Sequence, residues 1–262
     1  MIRTAALLVL VSLFPAASAS AEKLDLSRQL VHIEKRYGLS VRYTIGQGFF
    51  PGEWLDAPIS ARATPIPENE IKRTVSLITE ALRLYPDTVV KNSLRAVHLS
   101  GGLAFYGLNF GATSTDDCIY LCNAGTANGY TDRYILRAFH HEFAHILYAK
   151  YAFPLSEWSA CNPAGFSYLG ANDGGIEAIR KGADSLVGEE RLYRMGFLAE
   201  YAMSSPEEDF CVYSEMVLGA GEEFAGIVNG HDAVKRKYGI WRRYYLSIDP
   251  AFIRVLTVKK PR

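Results

Sequence analysis

The pentapeptide His141-Glu142-Phe143-Ala144-His145 holds two imidazoles four residues apart. On a helix, residues so spaced project from one face, and both rings can reach a single Zn2+ ion. Glu142 then lies beside the metal without ligating it, where its carboxylate can take a proton from a water that the metal has acidified. The pentapeptide therefore points to a cofactor and a hydrolytic reaction together. His140 falls outside the spacing and is read as a neighbour, not a ligand.

A catalytic zinc needs a third protein ligand and one position left for water. A further histidine six residues after His145, with a glycine between, would give the metzincin pattern, but those positions are Tyr151 and Tyr148. The remaining distant histidines, His32, His98 and His231, sit in no ligand motif, which leaves a carboxylate. The best placed is Glu208, in Tyr201-Ala-Met-Ser-Ser205-Pro206-Glu207-Glu208-Asp209-Phe210. Local pattern admits two readings of it. Ser205 followed by Pro206 marks a helix start with Glu208 three residues on, so a capping box accounts for Glu208 as readily as a metal does.

The two blocks His141-Glu-Phe-Ala-His145 and Phe197-Leu-Ala-Glu-Tyr201 to Phe210 resemble those of the zinc-binding metallopeptidases of bacterial secreted proteins. That group includes the substrate-import-associated zinc metallohydrolases, and a wider similarity extends to the catalytic domain of anthrax lethal factor. The similarity runs over roughly residues 90 to 220, with its specificity concentrated in the two blocks. It implies a gluzincin arrangement: Glu208 as third zinc ligand, and Tyr201 as a hydroxyl donor that stabilises the oxyanion of a tetrahedral intermediate. The chain departs from the pattern at Val212, where the group commonly has an acidic residue supporting the metal's surroundings. Glu215, two turns after Glu208 on the same face, could take that part or could be an ordinary helix carboxylate.

These residues need elements to hold them. Residues 131–151 lack Gly and Pro, open on Thr131 or Asp132 as a cap, and carry Tyr134, Ile135, Ala138, Phe139, Ile146 and Leu147 at helical spacing, with Pro154 beyond. The pentapeptide therefore lies in mid-helix. Helical periodicity also marks 26–37 and 67–85, while 41–45, 96–99, 103–106 and 119–121 alternate or cluster like strands. The Pro- and Gly-rich stretch 48–66 reads as a loop. The expected fold is α+β and zincin-like: a mixed sheet packed on the motif helix, an N-terminal α/β part over 22–130, and a mainly helical part over 152–262. Either 103–106 or 119–121 could be an edge strand that pairs with an extended substrate, or a plain interior strand.

Arg3, the apolar run Ala5 to Phe14, and the small residues after Pro15 read as an export signal over residues 1–21. Its apolar run is too short to span a bilayer, and no later stretch is long enough, so the mature protein, 22–262, is expected as one domain without a membrane span, periplasmic or secreted. Lys plus Arg total 28 and Asp plus Glu total 28, with no basic stripe, which argues against a nucleic-acid partner. Lys235-Arg236-Lys237 and Arg242-Arg243 read as solvated faces. Four cysteines in an exported chain suggest disulfides. With Cys118 and Cys122 on one strand, about 13 Å apart, each would have to pair with Cys161 or Cys211. Cys211, one helical turn past Glu208, could also stand near the metal. Between His145 and Glu208, the glycines from Gly165 to Gly188 allow a lid, and Trp158, Phe166 and Tyr168 either line a cleft or pack internally.

The reading that joins these features is an exported zinc metalloendopeptidase acting on a peptide or protein substrate, with His141, His145 and Glu208 on zinc, Glu142 as general base and Tyr201 on the oxyanion. The alternatives are a zinc-stabilised accessory or binding protein of the cell envelope, and hydrolysis of a non-peptide amide. The sequence leaves oligomeric state open.

Overall fold

The computed structural model describes residues 15–170 and 174–256, with side chains from Asp25 onward. Most of the expected export signal, residues 1–14, lies outside the described residues. Helix α1 (Pro15–Tyr37) leads into β1 (Ser40–Arg42), the single turn α2 (Gly52–Leu55), β2 (Arg62–Thr64), α3 (Glu68–Leu82) and α4 (Asp87–Ser93). Five strands follow: β3 (Ala96–Ser100), β4 (Gly102–Phe105), β5 (Leu108–Phe110), β6 (Ala112–Ser114) and β7 (Cys118–Cys122). The remainder is helical, with α5 (Asp132–Lys150), α6 (Leu155–Ser159), α7 (Gly174–Lys181), α8 (Glu190–Met195), α9 (Pro206–Gly219), α10 (Gly221–Gly230), α11 (Asp232–Ile248) and α12 (Ile253–Leu256). This is the α+β architecture expected from the sequence: a mixed sheet against the motif helix, and a helical C-terminal part.

The main sheet runs β1-β3-β7-β6. β1, β3 and β7 are parallel, and β6 closes one side antiparallel to β7, with Ser114 opposite Ile119 and Ala112 opposite Leu121. All five residues of β7 are buried, because the strand has packing on both faces. Ile119 and Leu121 point into the larger core with Phe139, Phe143 and Leu147 of α5, while Cys118, Tyr120 and Cys122 point into a second cluster with Phe49, Phe50, Leu103 and Phe105. That second cluster carries a small antiparallel sheet, β2-β4-β5.

Of the two readings left open for these segments, the plain interior strand holds for both. The 119–121 segment is interior, and 103–105 is the central strand of the small sheet; the edge beside α5 is β6, whose three residues are too few to give a periodic signal. The stretch 48–66, expected as loop, contains α2 and β2. β2 is fixed by pairing with β4, Arg62 opposite Ala104 and Thr64 opposite Gly102, a contact across about forty residues that local pattern does not record.

The four cysteines are free, which corrects the disulfide expectation. Period-two alternation puts Cys118 and Cys122 on the side of β7 away from Cys211, which lies in the larger core. Cys161 is partly exposed.

Helix α5 begins as the cap residue requires, with the Thr131 hydroxyl accepting the Tyr134 N–H at 3.2 Å. It packs chiefly on α9. Behind α9 lies α11, whose Trp241 indole donates to Ser214 and whose Tyr244 hydroxyl reaches the Leu147 carbonyl at the end of α5. Lys237 departs from the solvated face expected of the basic cluster. It is wholly buried, 2.6 Å from Asp209, because α11 turns this position toward α9 and the paired carboxylate compensates its desolvation.

Candidate active site

α5 and α9 bring the chemistry of the two sequence blocks together. Ser205 caps α9 with Pro206 in its first turn, and its hydroxyl accepts the Glu208 N–H at 3.1 Å. Only that half of a capping box forms. The Glu208 side chain turns away from the Ser205 backbone toward α5, where one oxygen lies 3.0 Å from His141 Nε2 and 3.5 Å from His145 Nε2. The two imidazole Nε2 atoms are 3.2 Å apart.

This triangle tests the site for zinc. Donors bound at 2.0–2.1 Å with tetrahedral angles stand about 3.3 Å from one another, and the three observed separations bracket that value. A second donor combination is present, since the Cys211 sulfur lies within 4.8 Å of ring nitrogens of His141 and His145. The carboxylate is the better third donor. Its Oε2 lies 3.0 and 3.5 Å from the two Nε2 atoms, and burial raises the Cys211 thiol pKa, opposing the thiolate that zinc requires. His140 takes no part: it is buried on another face of α5, its Nδ1 2.8 Å from the Tyr85 hydroxyl, and burial lowers its pKa to about 3.

Each imidazole of the pair is held from behind by a carboxylate. His141 Nδ1 lies 3.2 Å from Glu215 Oε2, and His145 Nδ1 lies 2.7 Å from Glu207 Oε1. Such a partner takes the Nδ1 proton, fixes the tautomer and leaves Nε2 as the lone-pair donor toward the metal. Glu215 is itself paired with the Arg137 guanidinium from the preceding turn of α5. Glu215 thus occupies the supporting position that Val212, fully buried in the core, leaves unfilled. Glu207 was missed in the sequence because its neighbour Glu208 accounted for the motif. Its signal is the offset of about 100° between consecutive helix residues, which lets adjacent glutamates approach two sides of one ring.

Glu142 lies outside the triangle. Its carboxylate accepts a hydrogen bond from Ser114 Oγ on β6 at 2.9 Å, linking the motif helix to the sheet edge. Burial raises its pKa against the opposing pull of His145 and His141. The Tyr201 hydroxyl donates to Glu208 Oε1 at 2.9 Å, and burial raises its pKa well above the usual value, so it remains a proton donor. All five residues singled out in the sequence thus border one cleft of about 370 Å³.

The roof of the cleft comes from α7. A β-carbon at Gly175 would stand 2.4 Å from Glu208 Oε1 and 2.7 Å from the Tyr201 hydroxyl, so only glycine allows the helix to lie directly on these groups. The segment between the two blocks therefore reaches the cleft, as its length suggested. Trp158, Phe166 and Tyr168 do not: Trp158 is fully buried and donates to Asp209 at 2.8 Å, Tyr168 does the same, and Phe166 packs on Phe197.

Charge couples the metal-free site to pH. Burial opposes the His141 imidazolium, but the hydrogen bonds to Glu208 and Glu215 outweigh it and raise the pKa to about 9. A group whose folded pKa exceeds its unfolded value of about 6.5 stabilises the fold fully below that pH, and loses this contribution as pH rises through the folded value. Chelator-treated protein is accordingly expected to lose thermal stability between about pH 6.5 and 9. Zinc affinity should rise over the same window as the competing proton leaves. Thermal melts with and without zinc at each pH measure both, and a flat metal-free profile would contradict the ring's pairing.

The fold and the donor set together suit a zinc site on a motif helix beside a sheet edge. Residues 103–242, more than half of the chain and the whole of the cleft's machinery, match the family described as "Putative zinc-binding metallo-peptidase", and the chain belongs to that family. No curated protein and no solved structure matches it significantly.

Proposed function

We propose that the chain is an exported zinc endopeptidase of gluzincin type. In this reading residues 22–262 form one peptidase domain, released into the periplasm or beyond by removal of residues 1–21. His141, His145 and Glu208 hold the metal, with Glu215 and Glu207 orienting the rings. When bound, zinc supplies a Lewis acid that lowers the pKa of a water and polarises the scissile carbonyl. Glu142 takes the proton of the attacking water and passes it to the leaving amine nitrogen. The Tyr201 hydroxyl, which borders the cleft beside Glu208, would donate to the oxygen on which negative charge develops. The outer edge of β6, next to Ser114, offers main-chain donors and acceptors to an extended peptide. No helix among the described residues is long and apolar enough to cross a membrane, which suits a substrate met in solution.

The observation that carries this reading is the donor triangle of 3.0, 3.2 and 3.5 Å. Metal analysis of the purified protein, combined with cleavage of a broad peptide library followed by mass spectrometry, tests it. One zinc per chain with internal cleavage supports the endopeptidase, whereas one zinc with no cleavage of any peptide would support the accessory protein. His145→Ala removes one of three donors and the ring that Glu207 orients, and is expected to lower zinc occupancy to background after dialysis. Full occupancy in that variant would rule out this ligand set.

A further inference from the structure

The cleft has a second wall that the catalytic groups do not use. Trp54, Ile59, Phe105, Tyr106 and Phe110 line it, all from the small sheet and the segment leading into it. Phe105 is buried behind, while Trp54, Ile59, Tyr106 and Phe110 are half-buried and keep apolar surface toward the cavity. The rings brace one another, Trp54 against Phe105 at 5.4 Å and Phe105 against Phe110 at 5.3 Å, both edge-to-face.

The backbone beneath this wall is strained. Among the described residues, the only non-glycine positions in the left-handed region are Tyr106, at φ 56°, and Ser60, at φ 50°. The Tyr106 N–H donates to the carbonyl of Ile59, the residue before Ser60, at 2.7 Å. A bulky aromatic residue disfavours this conformation, and strain that surrounding contacts hold in place is concentrated at ligand-binding positions. Gly107, the other residue of this two-residue turn, also has a positive φ of 76°, and a glycine at 106 would meet that demand at no cost, yet a tyrosine occupies 106 and borders the cleft.

Position and charge complete the picture. β5 runs directly into β6 through Gly111, so the aromatic wall adjoins the first residue of the edge strand, while Asp116 follows its other end. The charged residues lining the cleft are Asp116, Glu142, Glu207 and Glu208, with no lysine or arginine among the described lining residues. With zinc bound and both imidazoles unprotonated at Nε2, a carboxylate on a ligand would find no cation here beyond the metal.

We propose that the wall formed by Trp54, Ile59, Phe105, Tyr106 and Phe110 is a substrate subsite that takes a large apolar or aromatic side chain close to the scissile bond, in a cleft that rejects acidic neighbours. This rests on the peptidase reading for its substrate, an extended peptide laid along β6. Tyr106 and Trp54 are specificity-determining residues, and the strained turn presents the Tyr106 ring to the ligand.

Binding to zinc-loaded Glu142→Gln protein tests the subsite without requiring turnover. Fluorescein-labelled octapeptides of Ala and Ser, carrying one Phe or one Asp scanned through the internal positions, are titrated by fluorescence polarisation. At one position Phe is expected to tighten binding about tenfold or more over the parent peptide, and Asp there to weaken it. In the same background Tyr106→Gly keeps the turn, because glycine accepts its φ, and is expected to erase most of the Phe advantage, read as the ratio of Phe to parent binding within that variant. Trp54→Ala should do likewise. Equal binding of Phe and parent peptides, no binding of any peptide, or retention of the Phe advantage in both variants would overturn the subsite. Failure of the peptidase reading would register separately, as absence of cleavage by the unsubstituted protein.

Discussion

Glu142→Gln is expected to lower kcat/KM for any cleaved peptide by about a hundred- to ten-thousandfold while zinc stays bound one to one, because a positioned base contributes on that order. The substitution is nearly isosteric, and its amide oxygen can still accept from Ser114 Oγ, which lies 2.9 Å from the carboxylate. It touches none of the three donors of the triangle, so metal content should not change. Proton acceptance alone is lost. Cleavage assays read beside zinc analysis on the same preparation separate the two effects, and turnover equal to the parent would move the base to another residue.

The largest effect on stability is expected at Lys237. Its ammonium and the Asp209 carboxylate are both fully buried, 2.6 Å apart, and the same carboxylate oxygen also accepts from Trp158 and Tyr168. The ammonium lies 3.9 Å from the centre of the Phe197 ring. Removing one member of such a pair strands a charge in a dry interior, so Lys237→Met should cost about 3–5 kcal/mol in denaturant unfolding of the zinc-free protein. Adding Asp209→Asn should recover a large part of that loss, because the amide still accepts from Trp158 and Tyr168 while the stranded charge disappears. A single substitution costing under about 1 kcal/mol, or a double variant no better than the single, would show that the pair is not held as ions. The pair anchors the first turn of α9 from the side facing α11, one residue from Glu208, so weakened zinc affinity should accompany the lost stability.

What the sequence displayed and what it hid follow from the range of the interactions. The motif helix and the start of α9 were legible because caps and periodicity are written within a few residues: Thr131 and Ser205 both act as N-caps. The meeting of His141, Glu142, His145, Tyr201 and Glu208 at one cleft was foreshadowed by two blocks alone, since a metal site needs few residues of fixed type. The hidden parts depend on distant partners. Glu215 stayed open between a supporting group and an ordinary helix carboxylate until His141 and Arg137 were placed around it, and Lys237 looked solvated until Asp209 lay opposite. The aromatic wall was invisible for the same reason: Trp54 and Ile59 stand in a stretch whose Pro and Gly content signals irregular backbone, and only the pairing of β2 with β4 carries them to the cleft.

The outermost strand of the main sheet spans only Ala112–Ser114, and the turn that follows carries the exposed Asp116. A long, flat, uncharged border of this kind would invite another copy of the same chain to stack onto it, the usual route to fibrous self-association. Brevity and a terminal negative charge reduce that hazard while leaving unpaired main chain free. In the proposed reading, the border is both a docking rail for one visiting strand and its own safeguard against clumping.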